Sequence, residues 1–191
     1  LYNTLLAIIV GAMLGLGVAF LIEYFDDTVK NPEDVRQVTG LTTLGGVVKL
    51  EGDDRAQQLV TQTAPKSPGA EAYRVLRTNL QFSALDKPLA TLLVTSSGPG
   101  EGKSTTVANL AVSMAQADKR IILVDADMRR PVAHKIFKLA NNVGLSTALL
   151  DKSHDPGLYL QATEVPNLRV MTTGPIPPNP AETLNSTRMQ E

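Results

Sequence analysis

The sequence predicts an α/β fold, a parallel sheet flanked by helices, with one transmembrane helix in front of it. The first 22 of the 191 residues carry no charge. Two aliphatic runs, Leu89 to Thr95 and Ile121 to Val124, are typical of strands buried in parallel sheets. A glycine-rich turn and a helical stretch lie between these runs, which is the order of a βαβ unit.

The composition excludes several classes of function. Lys and Arg number 18 against 19 Asp and Glu, so we expect no nucleic-acid partner. Hydrophobic residues make up 43% of the chain, enough for an aliphatic core. The chain has no Cys and only two isolated His, His134 and His154. Thiolate and histidine metal sites are therefore not expected, and any metal should be bound by oxygen.

The uncharged stretch from Leu1 to Ile22 would form a helix of about 33 Å, which matches a hydrocarbon core of about 30 Å. Small residues recur in it every four positions, at Ala7, Gly11, Gly15 and Ala19. This stripe favours close helix association in the membrane, although Gly and Ala are also common in membrane helices generally. A buried helix of a soluble protein is the other alternative.

The segment 23–68 is predicted to be a juxtamembrane linker, with a domain boundary near residue 64. Asn31 and Pro32 are typical of a helix start, and Gly40 can end that helix. Thr43 to Leu50 is expected to form a strand, and Glu51 to Pro68 a loop. Acidic residues dominate this flank, so its charge does not indicate the membrane orientation.

Residues 69–191 are predicted to form the first part of a nucleotide-binding domain that continues beyond Glu191. Helices are expected over 69–85, 104–117, 132–139 and 145–150, and again after Asn179. Strands are expected over 89–95, 120–124 and 168–172.

The segment Ser96 to Thr105 reads SSGPGEGKST between a predicted strand and a predicted helix, which is the context of a phosphate-binding loop. The pattern departs from the usual one at Ser97, where Gly is the rule, but Gly-Lys-Ser-Thr after a strand still predicts a P-loop NTPase. Lys103 would reach the β and γ phosphates of ATP, Ser104 would ligate Mg²⁺, and Thr105 would donate to the α phosphate. The other nucleotide contacts are expected from Gly98, Gly100, Glu101 and Gly102.

Two carboxylates, Asp125 and Asp127, follow the next predicted strand. The carboxyl ends of parallel strands are where ligands bind. We expect both to hold Mg²⁺ or its water shell, or to accept a proton in catalysis beside Lys103. A helix cap or an ion pair with Arg129 or Arg130 is the structural alternative for Asp125.

With these motifs the chain resembles the bacterial tyrosine kinases that are fused to a polysaccharide co-polymerase, or chain-length-determinant, membrane domain. Ser97 to Thr105 is similar to the family's Walker A loop, and Ile121 to Arg129 to its Walker A′ motif. The apolar helix running into Glu23 resembles its second transmembrane helix. Glu71, Arg74 and Arg77 match its E-x-x-R-x-x-R helix; from spacing alone they would form a solvated helix face.

The resemblance implies an ATP- and Mg²⁺-dependent tyrosine autokinase in the bacterial inner membrane, with residues after about 23 in the cytoplasm. Its implied partners are further copies of itself in a ring, joined through the Glu71, Arg74 and Arg77 helix and the membrane helix. The tyrosines of neighbouring subunits and the polysaccharide export machinery are also implied. Walker B and a tyrosine-rich tail are expected beyond Glu191, so this segment alone should be a weak kinase.

Two other functions remain open on the sequence. One is a non-kinase ATPase switch of the partitioning and cell-division type, whose signature Lys is replaced here by Gly98. The other is a structural chain-length regulator whose assembly is controlled by nucleotide. Loss of Lys103 would separate them, because a scaffold does not need ATP turnover.

Overall fold

The computed structural model describes residues 1–26, 31–50, 54–84, 89–151 and 155–190. The chain divides into two compact units, Leu1–Thr43 and Leu44–Glu191.

The first unit consists of two helices. Helix α1, Tyr2–Tyr24, confirms the predicted apolar helix and continues two residues past Ile22. It is long and apolar enough to cross a membrane. Helix α2, Pro32–Thr39, begins and ends as predicted. The Asn31 N–H donates to the Asp34 carboxylate at its start, and Gly40 ends it with a left-handed φ of 70° that glycine adopts without strain.

The second unit contains seven further helices and three strands within the described residues. The helices are α3 (Val60–Thr63), α4 (Pro68–Ser83), α5 (Lys103–Ala115), α6 (Ala133–Ile136), α7 (Leu145–Leu150), α8 (Pro180–Leu184) and α9 (Thr187–Gln190). The strands are β1 (Ile121–Val124), β2 (Gln161–Ala162) and β3 (Leu168–Met171). A 3₁₀ turn, Pro156–Tyr159, precedes β2.

The sheet has the order β1-β3-β2. Strands β1 and β3 are parallel, with Ile121 opposite Leu168, as the sequence predicts. Strand β2 is antiparallel to β3, so the sheet is mixed at that edge. The short β2 was not predicted, because two residues are too few to show a periodic pattern.

Two predicted strands are wrong. Residues 44–50 form no ladder; instead the Asn79 side chain of α4 donates to the Leu44 main-chain oxygen at 2.7 Å. Residues 89–95 form no regular secondary structure and are not paired in the described sheet, and Leu93 is 87% exposed. An aliphatic run becomes a strand only where another backbone satisfies its N–H and C=O groups. The predicted loop 51–68 also differs, because its described part contains α3.

The core lies between α5, α6 and one face of the sheet. Its largest cluster joins residues of α5, such as Val112, to Leu123 of β1 and Val170 of β3. Alanines at 108, 111 and 115 let α5 approach the sheet closely. This packing fixes the start of α5 beside the carboxyl end of β1, where the candidate site lies.

Candidate functional site

The loop before α5 has the backbone of an anion-binding turn. Gly100 and Gly102 have φ angles of 83° and 85°, a left-handed conformation that disfavours side chains with a Cβ. Gly102 is the N-cap of α5, and the first helical N–H bonded to it is that of Thr106, at 2.8 Å. The N–H groups of residues 103–105 therefore have no acceptor within the helix. They lie at its N-terminus, which is the positive end of the helix dipole.

Lys103 and Asp127 meet across this loop. The Lys103 Nζ lies 3.2 Å from Asp127 Oδ2, and their side chains are 32% and 27% exposed. The other oxygen, Oδ1, accepts N–H groups from Arg129 and Arg130. Partial burial raises the pKa of Asp127, but the Arg130 N–H and Lys103 outweigh burial and lower it overall. Asp127 is thus ionised at neutral pH, opposite the lysine.

Asp125 has a structural set of contacts. Its Oδ2 accepts the N–H groups of Val132 and Ala133 at 3.2 and 3.0 Å, at the start of α6. Its Oδ1 accepts the Asp127 N–H at 3.1 Å. The side chain is 8% exposed, and it therefore holds the loop after β1 as a helix cap. This was the structural alternative for Asp125, and it leaves Asp127 as the carboxylate facing Lys103.

Glu101 folds back on the start of the loop. Its Oε1 accepts the Ser97 hydroxyl at 2.8 Å. That hydrogen bond, aided by backbone N–H groups of Gly98 and Ser97, lowers the pKa of the exposed Glu101 carboxyl. A Cβ on Gly98 would lie 3.1 Å from the same oxygen. Glu101 and Ser97 therefore shape the turn that precedes the glycines.

A polar stripe on α5 binds the segment 58–61, which the sequence did not single out. Asn109, fully buried, donates to the main-chain oxygens of Gln58 and Thr105, both at 2.9 Å. Its Oδ1 accepts both the N–H and the hydroxyl of Thr61. The signal was present as polar residues at 109, 113 and 116, at helical spacing in an otherwise apolar stretch from 107 to 117. A helix-spaced polar row of this kind predicts a partner but does not name it.

The three residues predicted at a subunit interface have separate environments. Glu71 and Arg74 pair on the surface of α4 at 2.7 Å, and Arg74 also donates to the Pro65 main-chain oxygen. Arg77 points inward and donates from Nη1 to the Ser113 main-chain oxygen of α5 at 2.8 Å. Arg77 therefore makes its contact within its own chain.

Comparison with known proteins identifies the family. The model of the CobQ/CobB/MinD/ParA nucleotide binding domain matches residues 92–158. YwqD, a tyrosine-protein kinase of Bacillus subtilis, is 47% identical over 143 residues, which cover 75% of this chain and 60% of YwqD. The solved BceF tyrosine kinase domain is 31% identical, with a TM-score of 0.71, over 84% of this chain and 69% of that domain. The chain belongs to the bacterial tyrosine kinase family.

Another relative extends the match to bacterial tyrosine kinases along nearly the whole chain. EpsB of Ralstonia solanacearum is 35% identical over 199 residues, covering 98% of this chain and 26% of EpsB. The chain thus spans less than two thirds of the length of these curated relatives. The segment matched by the nucleotide-binding model contains the glycine loop and both aspartates.

The donor set fits the ATP that this kinase family uses. Gly100 and Gly102 open the loop backbone to phosphates, and Lys103 supplies a cation. In the ranges that the structure describes, no three His, Cys, Asp or Glu side chains form a metal cage.

Proposed function

We propose that this chain is the nucleotide-binding part of a membrane-anchored tyrosine autokinase that transfers phosphate from ATP and regulates polysaccharide chain length and export. The observation that supports this best is the 3.2 Å contact between Lys103 and Asp127 at the mouth of the glycine loop. A cation and an ionised carboxylate at the same loop support a site for a phosphate and its metal ion, which need opposite charges.

Each site residue has a role in this proposal. Bound Mg²⁺-ATP supplies the phosphoryl group and a metal charge that offsets the charge of the phosphates. Lys103 leaves Asp127 and binds the β and γ phosphates, while the N–H groups around Gly100 and Gly102 bind the remaining oxygens. Ser104 and Asp127 orient the metal ion, and Thr105 donates to the α phosphate. Asp127 also accepts the proton of the attacking tyrosine hydroxyl, while Asp125 holds its loop in place.

The anchor and the assembly are part of the same proposal. Helix α1 crosses the bacterial inner membrane, and the following residues lie in the cytoplasm; the length and hydropathy of Tyr2–Tyr24 support the crossing itself. Copies pack in a ring through α4, with Glu71 and Arg74 on its surface, and bring the tyrosines of one subunit to the site of the next. Replacing Arg74 with Ala should shift the protein toward monomer in sizing experiments.

The test uses the full natural protein, incubated with Mg²⁺ and labelled ATP, beside Lys103→Met and a control, Lys119→Met, in an exposed lysine after α5. We expect phosphotyrosine in the wild type and the control, and none in Lys103→Met. Equal labelling of Lys103→Met would remove the glycine loop from the mechanism.

A second function is favoured by the matched family model, whose description includes the partitioning-type ATPases. In that case the wild type would release free phosphate without labelling any tyrosine. If polysaccharide length control survives in Lys103→Met, the protein acts as a scaffold that does not need ATP turnover.

A further inference from the structure

One tyrosine of the second unit is accessible at its surface. Residues 44–191 contain two tyrosines, Tyr73 on α4 and Tyr159 on the 3₁₀ turn. Tyr73 is 2% exposed, and burial raises the pKa of its hydroxyl. Tyr159 is partly exposed, and the four residues before it, 155–158, are all exposed. A kinase site can therefore reach Tyr159 without opening the core, whereas Tyr73 is out of its reach.

The turn that carries Tyr159 is held by weak hydrogen bonds. The Leu158 N–H donates to the Asp155 main-chain oxygen with a nitrogen-to-oxygen distance of 3.4 Å, and the Leu160 N–H donates to that of Gly157 at 3.3 Å. Both distances exceed the usual range of about 2.7–3.2 Å for an N–H donor. The Gly157 N–H bond to the Asp155 carboxylate, at 2.9 Å, has an ordinary length but precedes the tyrosine. Opening the turn around Tyr159 therefore costs little.

The Tyr159 hydroxyl links this turn to the end of α7. It donates to the carboxylate of Asp151, the C-cap of α7, at 2.6 Å. This hydrogen bond raises the pKa of Tyr159, so the hydroxyl keeps its hydrogen at neutral pH. A phosphorylated tyrosine has no hydrogen on that oxygen and carries a charge of about −1.5 to −2. Phosphorylation would therefore remove the link to Asp151 and add repulsion between the two side chains.

We propose that Tyr159 is a phosphorylation site of this kinase and that a neighbouring copy modifies it. In this step the Tyr159 oxygen bonds to the γ-phosphorus of ATP, the bond from that phosphorus to the β–γ bridging oxygen breaks, and ADP leaves. The hydroxyl proton passes to Asp127 of the copy that holds the ATP. The inference rests on the proposed function and names an acceptor for it within the nucleotide-binding domain itself.

The test maps phosphate on the full-length natural protein after incubation with Mg²⁺ and ATP. Trypsin cleavage after Lys152 and Arg169 gives the peptide 153–169, whose one tyrosine is Tyr159. Mass spectrometry of this peptide therefore reports phosphotyrosine at a single position. We expect the phosphate in the wild type and not in Lys103→Met, which lacks the cation of the glycine loop.

The buried tyrosine supplies a matched control in the same digest. Trypsin cleavage after Lys66 and Arg74 gives the peptide 67–74, whose one tyrosine is Tyr73. The phosphorylated fraction of 153–169 should be at least about tenfold that of 67–74, because Tyr73 becomes accessible only when α4 opens locally.

A mixing experiment tests transfer between copies. Lys103→Met supplies Tyr159 but no working glycine loop, whereas Tyr159→Phe supplies a working loop but no acceptor at this position. The phenylalanine keeps the ring, so its packing is retained. Neither variant alone should yield phosphorylated 153–169, and the mixture of the two should yield it. Phosphate on this peptide in the wild type but not in the mixture would overturn transfer by a neighbouring copy.

The remaining outcomes separate this inference from the proposed function. Phosphotyrosine elsewhere in the protein, with no more on 153–169 than on 67–74, would overturn the inference and leave the autokinase intact. Phosphate on 153–169 in Lys103→Met alone would also overturn it, because the phosphate would then not depend on this kinase site. Absence of phosphotyrosine from the whole wild-type protein would instead overturn the proposed function.

Discussion

Arg77 of α4 donates from Nη1 to the main-chain oxygen of Ser113 at 2.8 Å, joining α4 to the last turn of α5. The last carbonyls of a helix have no partner within it, and they carry the negative end of its dipole. A guanidinium placed there therefore stabilises α5 and fixes α4 against it.

We expect Arg77→Ala to lower the free energy of unfolding by about 1.5–3 kcal/mol, the range for hydrogen bonds to charged groups. Glu71→Ala should lower it by no more than about 1 kcal/mol, because this substitution removes only the surface pair with Arg74. Urea unfolding of the two variants measures the difference. Equal losses would show that the inward contact of Arg77 adds nothing beyond a surface pair.

Gly144 lies against the end of β3 with no space for a side chain. A Cβ there would lie 2.1 Å from the Thr172 main-chain oxygen and 2.5 Å from the Gly174 nitrogen. The backbone conformation itself is open to any residue, since φ is 170°. We expect Gly144→Ala to destabilise the fold by about 2–4 kcal/mol through this clash, as measured by thermal unfolding.

Gly46→Ala is the control for that substitution, because a Cβ at Gly46 has no atom within 4 Å. Its melting temperature should stay near that of the wild type. If Gly144→Ala also melted like the wild type, α7 and the end of β3 would have to separate more easily than their contacts indicate.

Asn109 should be the most sensitive polar residue of α5. Asn109→Leu keeps the volume but leaves the Thr61 N–H and the Gln58 oxygen buried without partners. We expect the free energy of unfolding to fall by about 3 kcal/mol or more, because each buried group left without a hydrogen bond costs about 1–3 kcal/mol. Asn79→Leu, which removes a single exposed bond to Leu44, should cost about 1 kcal/mol. If the two substitutions lowered the free energy of unfolding equally, the burial of the Asn109 hydrogen bonds would add nothing to stability.

The Asp127 carboxyl should make stability depend on acid pH. Its pKa in the folded protein is below the ordinary value of 3.8. Its stabilising effect is therefore fully present above about pH 5 and is lost as the pH falls through the ordinary value and then the folded one. In Asp127→Asn, unfolding free energy should fall less between pH 6 and pH 3 than in the wild type.

Asp118→Asn provides the comparison for this titration, since Asp118 is exposed and Asn tolerates its left-handed φ of 59°. In Asp118→Asn, the unfolding free energy should fall between pH 6 and pH 3 by as much as it does in the wild type. If the unfolding free energy of Asp127→Asn fell with pH as it does in the wild type and in Asp118→Asn, the contact with Lys103 would make no net contribution to folding.

Sequence patterns predicted the elements whose cause is local. The helix at Asn31-Pro32, the glycine turn before Lys103 and the α5-β1 unit all follow from capping, glycine freedom and periodicity. The two carboxylates after β1 were expected near Lys103, because a phosphate loop lies beside the carboxyl end of a strand, and Asp127 does lie there. Each of these inferences needs only a short stretch of chain or a general rule of parallel sheets.

The failures share a different cause. Leu89 to Thr95 has the composition of a strand, but a strand exists only with a partner, which composition does not supply. For Asp125 the sequence left both the site and the helix cap open, because its contacts depend on what packs beside it, and the same holds for the inward contact of Arg77. The hydrogen bond between Gln58 and Thr105 was missed because the two lie 47 residues apart and Gln58 resembles its neighbouring glutamine, Gln57.

The exposed aliphatic side chains of β1 and of residues 89–95 have a practical consequence. Ile122 and Val124 of β1 are 59% and 46% exposed, and Leu93 is 87% exposed. Apolar surface beside an open strand edge, as β1 has among the described residues, promotes aggregation by strand pairing between molecules. Aggregation should therefore increase steeply with protein concentration, and Ile122→Lys should improve the yield of purified protein.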